Sequence, residues 1–198
     1  ALASYHANGE LVSTFGESGT VVTECPFEND DYARAVAVQA DGKIVVAGGG
    51  PTLNGTSDFS LARYEPDGTL DAGFGTGGKV STDFGGGQDL AGGIAVQVDG
   101  KIVVAGTTEG DLALARYEMN GSLDESFGSG GTIVTDFGDA PALASALALQ
   151  SDGKIVVVGQ SNIYSQRGFA VVRYDTSGAL DPSFGEGGKV VVDLLAGS

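Results

Sequence analysis

Apolar residues come in short runs along this chain, and polar or glycine-containing turns separate the runs. In the first well-formed group the runs lie at 35–40, 43–48, 59–65 and 79–84, and each has the length and composition of a β-strand. The link Asp41-Gly42 between the first two runs is a strong hairpin signal, because both residue types tolerate positive φ. We name the four predicted strands a, b, c and d.

The same order of runs returns at an interval of 53 to 59 residues. The hairpin segment at 41–46 recurs at 99–104 and at 152–157, which are offsets of 58 and 53 residues. A partial and divergent copy of the last part of the repeat, around Phe15-Gly16, precedes the first full copy. The period also assigns the run at 142–150 to strand a, although its alanines and leucines alone would favour a helix.

Four antiparallel strands per fifty-odd residues, repeated in tandem, predict an all-β fold, a β-propeller with four-stranded blades. Strand c at 112–117 is apolar on both faces, as expected for a strand between stacked blades. A β-solenoid is the alternative, but its period is usually about 20–25 residues. The predicted propeller domain has about three and a half blades: a half blade of strands c and d at 1–24, then full blades at 25–84, 85–137 and 138–198.

The segment from Gly93 to Gly138, which begins GIAVQVDGKIVVAG and ends GGTIVTDFG, resembles the delta-60 repeat, a bacterial β-propeller repeat. Its strand layout is also similar to that of NHL-type blades. The first copy departs from the pattern at Ser4 and Val12, where Arg and Asp are expected. The resemblance implies a multi-bladed, usually secreted or cell-surface protein and supplies no catalytic residues. We therefore expect an extracellular or cell-surface location, although no signal peptide is visible.

Three and a half blades are too few for a closed ring, because closed propellers have about four to eight. We expect the chain to be part of a longer propeller whose first blade has its strands a and b upstream. Assembly with other chains is the alternative. The expected partners therefore include further propeller blades, from the same longer chain or from another subunit.

The charge balance limits which other classes of partner are expected. Twenty-six acidic residues against ten basic ones give a net charge of −16. Nucleic-acid binding depends on Lys and Arg at phosphates, and an anionic membrane surface would repel the chain, so neither is an expected partner. The apolar runs are far shorter than the roughly 20 residues that span a bilayer, so we expect no membrane insertion. A protein or glycan ligand remains the expectation.

The recurring charged residues are predicted to be structural. The arginines that end strand c are Arg63, Arg116 and Arg173. We expect each to form an ion pair between blades, because a planar guanidinium suits a partly buried carboxylate. The candidate partners are either Asp71, Asp124 and Asp181 or Asp83, Asp136 and Asp193.

Calcium is a weaker hypothesis for the turns between strands c and d. Its candidate ligands are Asp67, Asp71, Asp124 and Asp181. Calcium needs six to eight oxygens, however, and these turns lack the alternating acids of an EF-hand. Asn, Asp or Ser before Gly is ordinary turn chemistry. We therefore expect neither a metal nor a cofactor here.

Recognition is predicted on the face that carries the b–c and d–a connections, because these connections differ between copies while the a–b and c–d turns hardly vary. The first candidate cluster is Asp30, Asp31, Tyr32 and Arg34. The second candidate cluster is Asn162, Tyr164, Gln166 and Arg167. The side chains of this second cluster suit stacking and hydrogen bonding to a sugar or peptide. The alternative is that they are ordinary solvated loop residues.

The sequence offers little support for catalysis, so we expect no enzyme activity. His6 is the single histidine, so neither a Ser-His-Asp triad nor a His-based zinc site has a second member. The favoured function is a non-catalytic extracellular propeller that binds a glycan or protein through its variable loops. A structural or assembly subunit is the second hypothesis. A carboxylate-dependent glycan hydrolase or lyase based on Asp30 and Asp31 is the third.

Overall fold

The computed structural model describes residues 1–23, 32–51, 56–85, 87–137, 142–161 and 168–193. In this part of the chain the regular elements are fourteen β-strands. The half blade contains β1 (Leu2–Ala3) and β2 (Thr20–Val21). Blade 1 contains β3 (Tyr32–Val38), β4 (Ile44–Pro51), β5 (Ser57–Tyr64) and β6 (Lys79–Thr82). Blade 2 contains β7 (Asp89–Val96), β8 (Ile102–Thr108), β9 (Asp111–Tyr117) and β10 (Thr132–Thr135). Blade 3 contains β11 (Ala142–Leu149), β12 (Ile155–Ser161), β13 (Gly168–Tyr174) and β14 (Lys189–Asp193).

Each full blade is one antiparallel sheet whose strands lie in chain order, and β1 pairs with β2 in the half blade. This arrangement confirms the predicted propeller architecture. The run at 142–150 forms β11 and pairs with β12, so the repeat was a better guide there than helix propensity. Within the described residues, nothing helical has the length and apolar character needed to cross a membrane.

The a–b hairpin turns are one residue longer than the two-residue link that the Asp-Gly signal suggests. In blade 1, Gln39 N donates to Lys43 O, so the turn encloses the three residues 40–42. Gly42 has φ +87°, and the Lys43 amide donates to Asp41 Oδ1 over 3.1 Å. The conformation needs glycine at the third position and a carboxylate before it, which accounts for the repeated Asp-Gly-Lys.

Two apolar cores lie between the blades. Strand β9 contributes to both, because its successive side chains point to opposite faces of the sheet. Ala113 and Tyr117 pack with Phe59 of blade 1, whereas Leu112 and Leu114 pack in the core that blade 2 shares with blade 3. Both faces of strand c in blade 2 are buried, as the sequence predicted.

The a strands β3, β7 and β11 form the inner edge of the blade stack. Each carries a β-bulge at the same repeat position, and the bulged residues are Arg34, Gly92 and Ser145. A Cβ at Gly92 would lie 2.3 Å from the carbonyl oxygen of Ala144 in blade 3. Glycine therefore permits the close approach of β7 to β11.

One side of blade 3 has no blade packed on it within the described chain. We name this the outer face of blade 3, and its large apolar side chains are Leu143, Val158, Phe169 and Val192, between 40% and 55% exposed. The residues at the positions of Val158 and Phe169 in blade 2 are Ala105 and Leu112, and both are buried against blade 3.

Candidate functional site

The arginines of strand c pair with the aspartate eight residues later. Arg63 Nε lies 2.7 Å from Asp71 Oδ2. The same atoms are 2.6 Å apart for Arg116 and Asp124 and 2.9 Å apart for Arg173 and Asp181. The predicted ion pair between blades is wrong, because the turn after strand c returns each aspartate to the arginine of its own blade. The structure selects the first of the two candidate aspartate sets.

A lysine completes each of these pairs. Lys43 Nζ contacts Asp71 Oδ2 and Glu65 Oε1, both over 2.8 Å, and Lys101 makes the equivalent contacts in blade 2. The hydrogen bond from Lys43 is the main cause that lowers the pKa of Asp71 to about 2, against the opposing effect of burial. Lys154 lies 3.2 Å from Asp181 Oδ2 in blade 3.

These contacts argue against calcium at the c–d turns. Two cationic side chains already neutralise each of Asp71, Asp124 and Asp181, and an incoming ion would have to displace them. The fourth candidate, Asp67, accepts hydrogen bonds from the amide and hydroxyl of Thr69 through Oδ1, over 2.9 and 2.7 Å. This is the geometry of an ordinary Asx turn.

The arginines do connect blades, but through main-chain carbonyls. Arg63 Nη1 donates to the carbonyl of Met119 in the c–d turn of blade 2. Arg116 Nη1 likewise donates to Thr176 O in blade 3 over 2.8 Å. Beside them, Gly75 N donates to Asn120 O over 2.8 Å, and the same bond recurs between blades 2 and 3. We name these paired donations the latch.

A second contact between blades was missed by sequence reasoning. Thr82 Oγ1 at the end of β6 lies 2.8 Å from Tyr117 Oη in blade 2, and both side chains are buried. The equivalent pairs are Thr23 with Tyr64 at 2.6 Å and Thr135 with Tyr174 at 2.7 Å. The signal was available, because Thr and Tyr recur at fixed repeat positions. In blade 3 the threonine position holds Val192.

The variable face, which carries the b–c and d–a connections, holds two of the eight predicted ligand-binding residues within the described chain. Tyr32 and Arg34 lie at the start of β3, and both are exposed. Arg34 is the bulge residue, and bulges redirect side chains at the edges of functional sites. The other six lie outside the described residues: Asp30, Asp31, Asn162, Tyr164, Gln166 and Arg167.

The b–c connections on this face differ between blades. β8 and β9 are joined by the two residues Glu109 and Gly110, both with positive φ, which form a tight hairpin turn. Five residues separate β4 from β5, and six separate β12 from β13. The length of the b–c connection on this face therefore varies from two to six residues between blades.

A protein family model matches one segment of each full blade, at residues 39–74, 97–127 and 150–184, which is more than half of the chain. The model is described as "Domain of unknown function (DUF5122) beta-propeller". The chain belongs to this family. The matched segments of this DUF5122 propeller contain all three Arg–Asp pairs and all three a–b turns, and therefore the arginine donors of the latch.

Among solved structures, the DUF5122 propeller is similar to a protein of unknown function from Bacteroides caccae, determined by crystallography at 1.35 Å resolution. The two chains are 12% identical, the match covers 88% of this chain and 86% of that chain, and the TM-score is 0.37. No curated protein matches the chain.

Proposed function

We propose that this DUF5122 propeller is a non-catalytic binding module that recognises a glycan or protein through its variable face. The observation that supports the proposal is the contrast between its two faces. On the opposite face the c–d turns accept latch hydrogen bonds from the preceding blade. On the variable face the connections differ in length, and Tyr32 and Arg34 are exposed at the start of β3. A face whose turns hold the fold together leaves the other face to vary with the ligand.

A glycan array and a panel of candidate surface proteins, both probed with purified protein, test this proposal. The Tyr32→Ala/Arg34→Ala variant should bind its ligand at least about tenfold more weakly, because a stacking surface and a cationic donor are removed. The matched control is Val98→Ser, a fully exposed change on the opposite face, which should bind like the wild type. Equal binding by the double variant, or no ligand in either panel, would overturn the proposal.

We further infer that the repeat is of the delta-60 kind and that the protein acts in the extracellular space or at the cell surface. The recurring Asp-Gly-Lys, Arg-Tyr and Phe-Gly motifs support the assignment of the repeat, and the location follows from what the resemblance to that repeat implies. Immunodetection in fractionated cells and culture medium of the source organism tests the location. Protein confined to the cytosolic fraction would contradict it.

The assembly hypothesis is the second candidate, and the outer face of blade 3 supports it. Four large apolar side chains are exposed there, and two of them, Val158 and Phe169, occupy positions whose blade 2 residues lie in the core. Blade 3 also carries the donor groups of the latch, although the described chain holds no further blade to accept their hydrogen bonds. Among the described residues, neither Gly185 N nor Arg173 Nη1 has a turn carbonyl to bind, although their counterparts in blades 1 and 2 do.

We propose that a further propeller blade covers the outer face of blade 3, supplied by a longer form of the same chain. The test compares the intact mass of the denatured chain from its source with the mass of the native particle. A denatured chain well above 19.8 kDa supports this proposal. A 19.8 kDa chain in a larger particle that Phe169→Asp dissociates would instead place the blade on another subunit. A stable 19.8 kDa monomer would overturn both.

A further inference from the structure

Three carboxylates meet on the variable face where blade 1 passes into blade 2. Asp58 lies near the start of β5, Asp83 directly follows β6, and Asp89 begins β7. One carboxylate oxygen of each residue lies within 4.8 Å of the other two. The strands therefore bring together three acids that are up to 31 residues apart in sequence.

Each carboxylate is oriented by a hydrogen bond through one of its oxygens. Phe84 N donates to Asp89 Oδ2 and Gly85 N donates to Asp83 Oδ1, both over 2.8 Å. The hydroxyl of Ser81 donates to Asp58 Oδ2 over 2.9 Å. Two backbone amides that follow β6 and one hydroxyl of β6 thus orient the three acids.

Asp89 is the unusual member of the group. Its side chain is fully buried, and its Oδ1 has no hydrogen-bond partner. The other buried aspartates of the described chain, Asp71, Asp124 and Asp181, each contact an arginine and a lysine. Neither Asp58 nor Asp89 forms an ion pair with any residue that the structure describes. A buried carboxylate oxygen without a donor or a cation costs free energy unless something else supplies the charge.

The carboxylates of the group lie close enough to interact electrostatically. Burial is the main cause that raises the pKa of Asp58, and the negative charges of Asp83 and Asp89 raise it further. The hydrogen bond from Ser81 opposes this effect. Three carboxylates at this spacing repel one another, and a bound cation would remove that repulsion.

We propose that Asp58, Asp83 and Asp89 bind a calcium ion at the junction of blades 1 and 2. Oxygen ligands alone suit a hard divalent cation, and Ca²⁺ with ligand distances of about 2.3–2.6 Å spans oxygens up to about 5 Å apart. Mg²⁺ requires near-ideal octahedral geometry, whereas Ca²⁺ accepts irregular sets of oxygen ligands. Water would fill the remaining positions, so the expected Kd is in the range of about 10⁻⁴–10⁻³ M that is typical of extracellular modules.

The junction of blades 2 and 3 does not repeat the three-acid cluster. At the next junction Asp111 and Asp136 occupy the repeat positions of Asp58 and Asp83, but Ala142 occupies the position of Asp89. Blade 2 therefore provides two of the three acids without the buried one. The proposal concerns how the blades are held together, and it does not depend on the proposed glycan or protein ligand.

Calorimetric titration of CaCl₂ into the EDTA-treated chain near neutral pH tests the site, together with the melting temperature with and without Ca²⁺. We expect about one Ca²⁺ per chain and a higher melting temperature when it is bound. Asp89→Asn should weaken binding by at least about tenfold, since it removes the buried anionic ligand. The matched control Asp111→Asn removes the acid at the equivalent position in blade 2 and should bind Ca²⁺ like the wild type.

Circular dichroism shows whether Asp89→Asn folds, and Asp58→Asn provides a second variant that should also lose binding. The absence of Ca²⁺ binding at millimolar concentration would overturn the proposal. So would unchanged binding by both variants, or equal weakening by Asp111→Asn. A group of acids that only shares a proton would show higher stability in Asp89→Asn and no response to Ca²⁺ in the wild type, which also overturns it. Binding of Mg²⁺ as tight as that of Ca²⁺ would overturn the choice of ion.

Discussion

The side chain of the strand c arginine binds groups in two neighbouring blades. Its Nε holds the aspartate of its own blade, and its Nη1 reaches a carbonyl of the next blade. The guanidinium of Arg116 also lies over the ring of Phe127, 4.3 Å from the ring centroid. A lysine could supply the charge, but not these three contacts at once, because it lacks the planar fork.

Replacing Arg116 with alanine should lower the free energy of unfolding by about 3 kcal/mol or more, since Asp124 stays buried with one cation fewer. Urea unfolding followed by circular dichroism measures the loss. The control is Arg173→Ala, which should cost less because the Arg173 side chain is about twice as exposed and latches no described blade. A loss below about 0.5 kcal/mol for Arg116→Ala would mean that the pair behaves like an exposed one.

The ion pairs also predict how stability depends on pH. The pKa of Asp71 is lowered to about 2, chiefly by Lys43, while an unfolded aspartate titrates near about 3.9. A lowered pKa contributes stability above the unfolded value, and this contribution is lost as the pH falls from about 4 to about 2. The urea midpoint should therefore fall over that range, and less steeply in Asp71→Asn. Parallel curves for the two proteins would contradict this prediction.

At the level of single residues, comparison of the repeat copies identified the structural residues that recur. It missed functional candidates that occur in one copy only. The three arginines were predicted to be structural because they repeat, but two aspartate sets repeat equally well, and only the fold decides between them. The cluster of Asp58, Asp83 and Asp89 was missed for the opposite reason: its third member is alanine in the next copy, so comparison of the copies passed over it.

At the level of strands, the contact between the end of strand d and the end of strand c holds neighbouring blades together at their buried edges. Thr82 and Tyr117 are both largely inaccessible to water, so each hydroxyl depends on the other. Burial raises the pKa of Tyr174, the corresponding tyrosine of blade 3, to about 12, which keeps its hydroxyl neutral.

A double-mutant cycle on Thr82→Val and Tyr117→Phe tests this contact. Each single change should cost about 1–3 kcal/mol, because it leaves a buried hydroxyl without a partner. The double variant should be about as stable as either single variant, since no buried hydroxyl is then left without a hydrogen-bond partner. Valine already occupies the threonine position in blade 3, so the change itself suits the strand. Strictly additive losses would show that the two hydroxyls do not depend on each other.

The strands themselves were largely predictable from the repeat, whereas their details were not. β11 was assigned correctly against its own helical propensity because register with the other copies outweighs local preference. The bulges at Arg34, Gly92 and Ser145 share no residue type, so no sequence signal marked them. They follow from how the inner strands pack together, which is a tertiary effect.

At the level of the whole molecule, the net charge of −16 is unevenly compensated. Six of the ten basic residues are held in the Arg–Lys–Asp groups, and the remaining acids have few counter-charges. Raising NaCl from low concentration to about 0.15 M in the presence of EDTA should therefore increase the melting temperature, because it screens repulsion over about 8–10 Å. KCl at equal ionic strength is the control for specific ion effects. A decrease would show that the ion pairs outweigh the repulsion.

The latch has a direction. Donors always belong to the earlier blade and accepting carbonyls to the later one, from blade 1 to blade 2 and again from blade 2 to blade 3. Two copies meeting through the same face would set donor against donor, so a two-fold, isologous dimer cannot use these contacts. Any particle that continues the stack with identical subunits through the latch is therefore heterologous: it forms a cyclic ring if the rotation between subunits closes and an open filament if it does not.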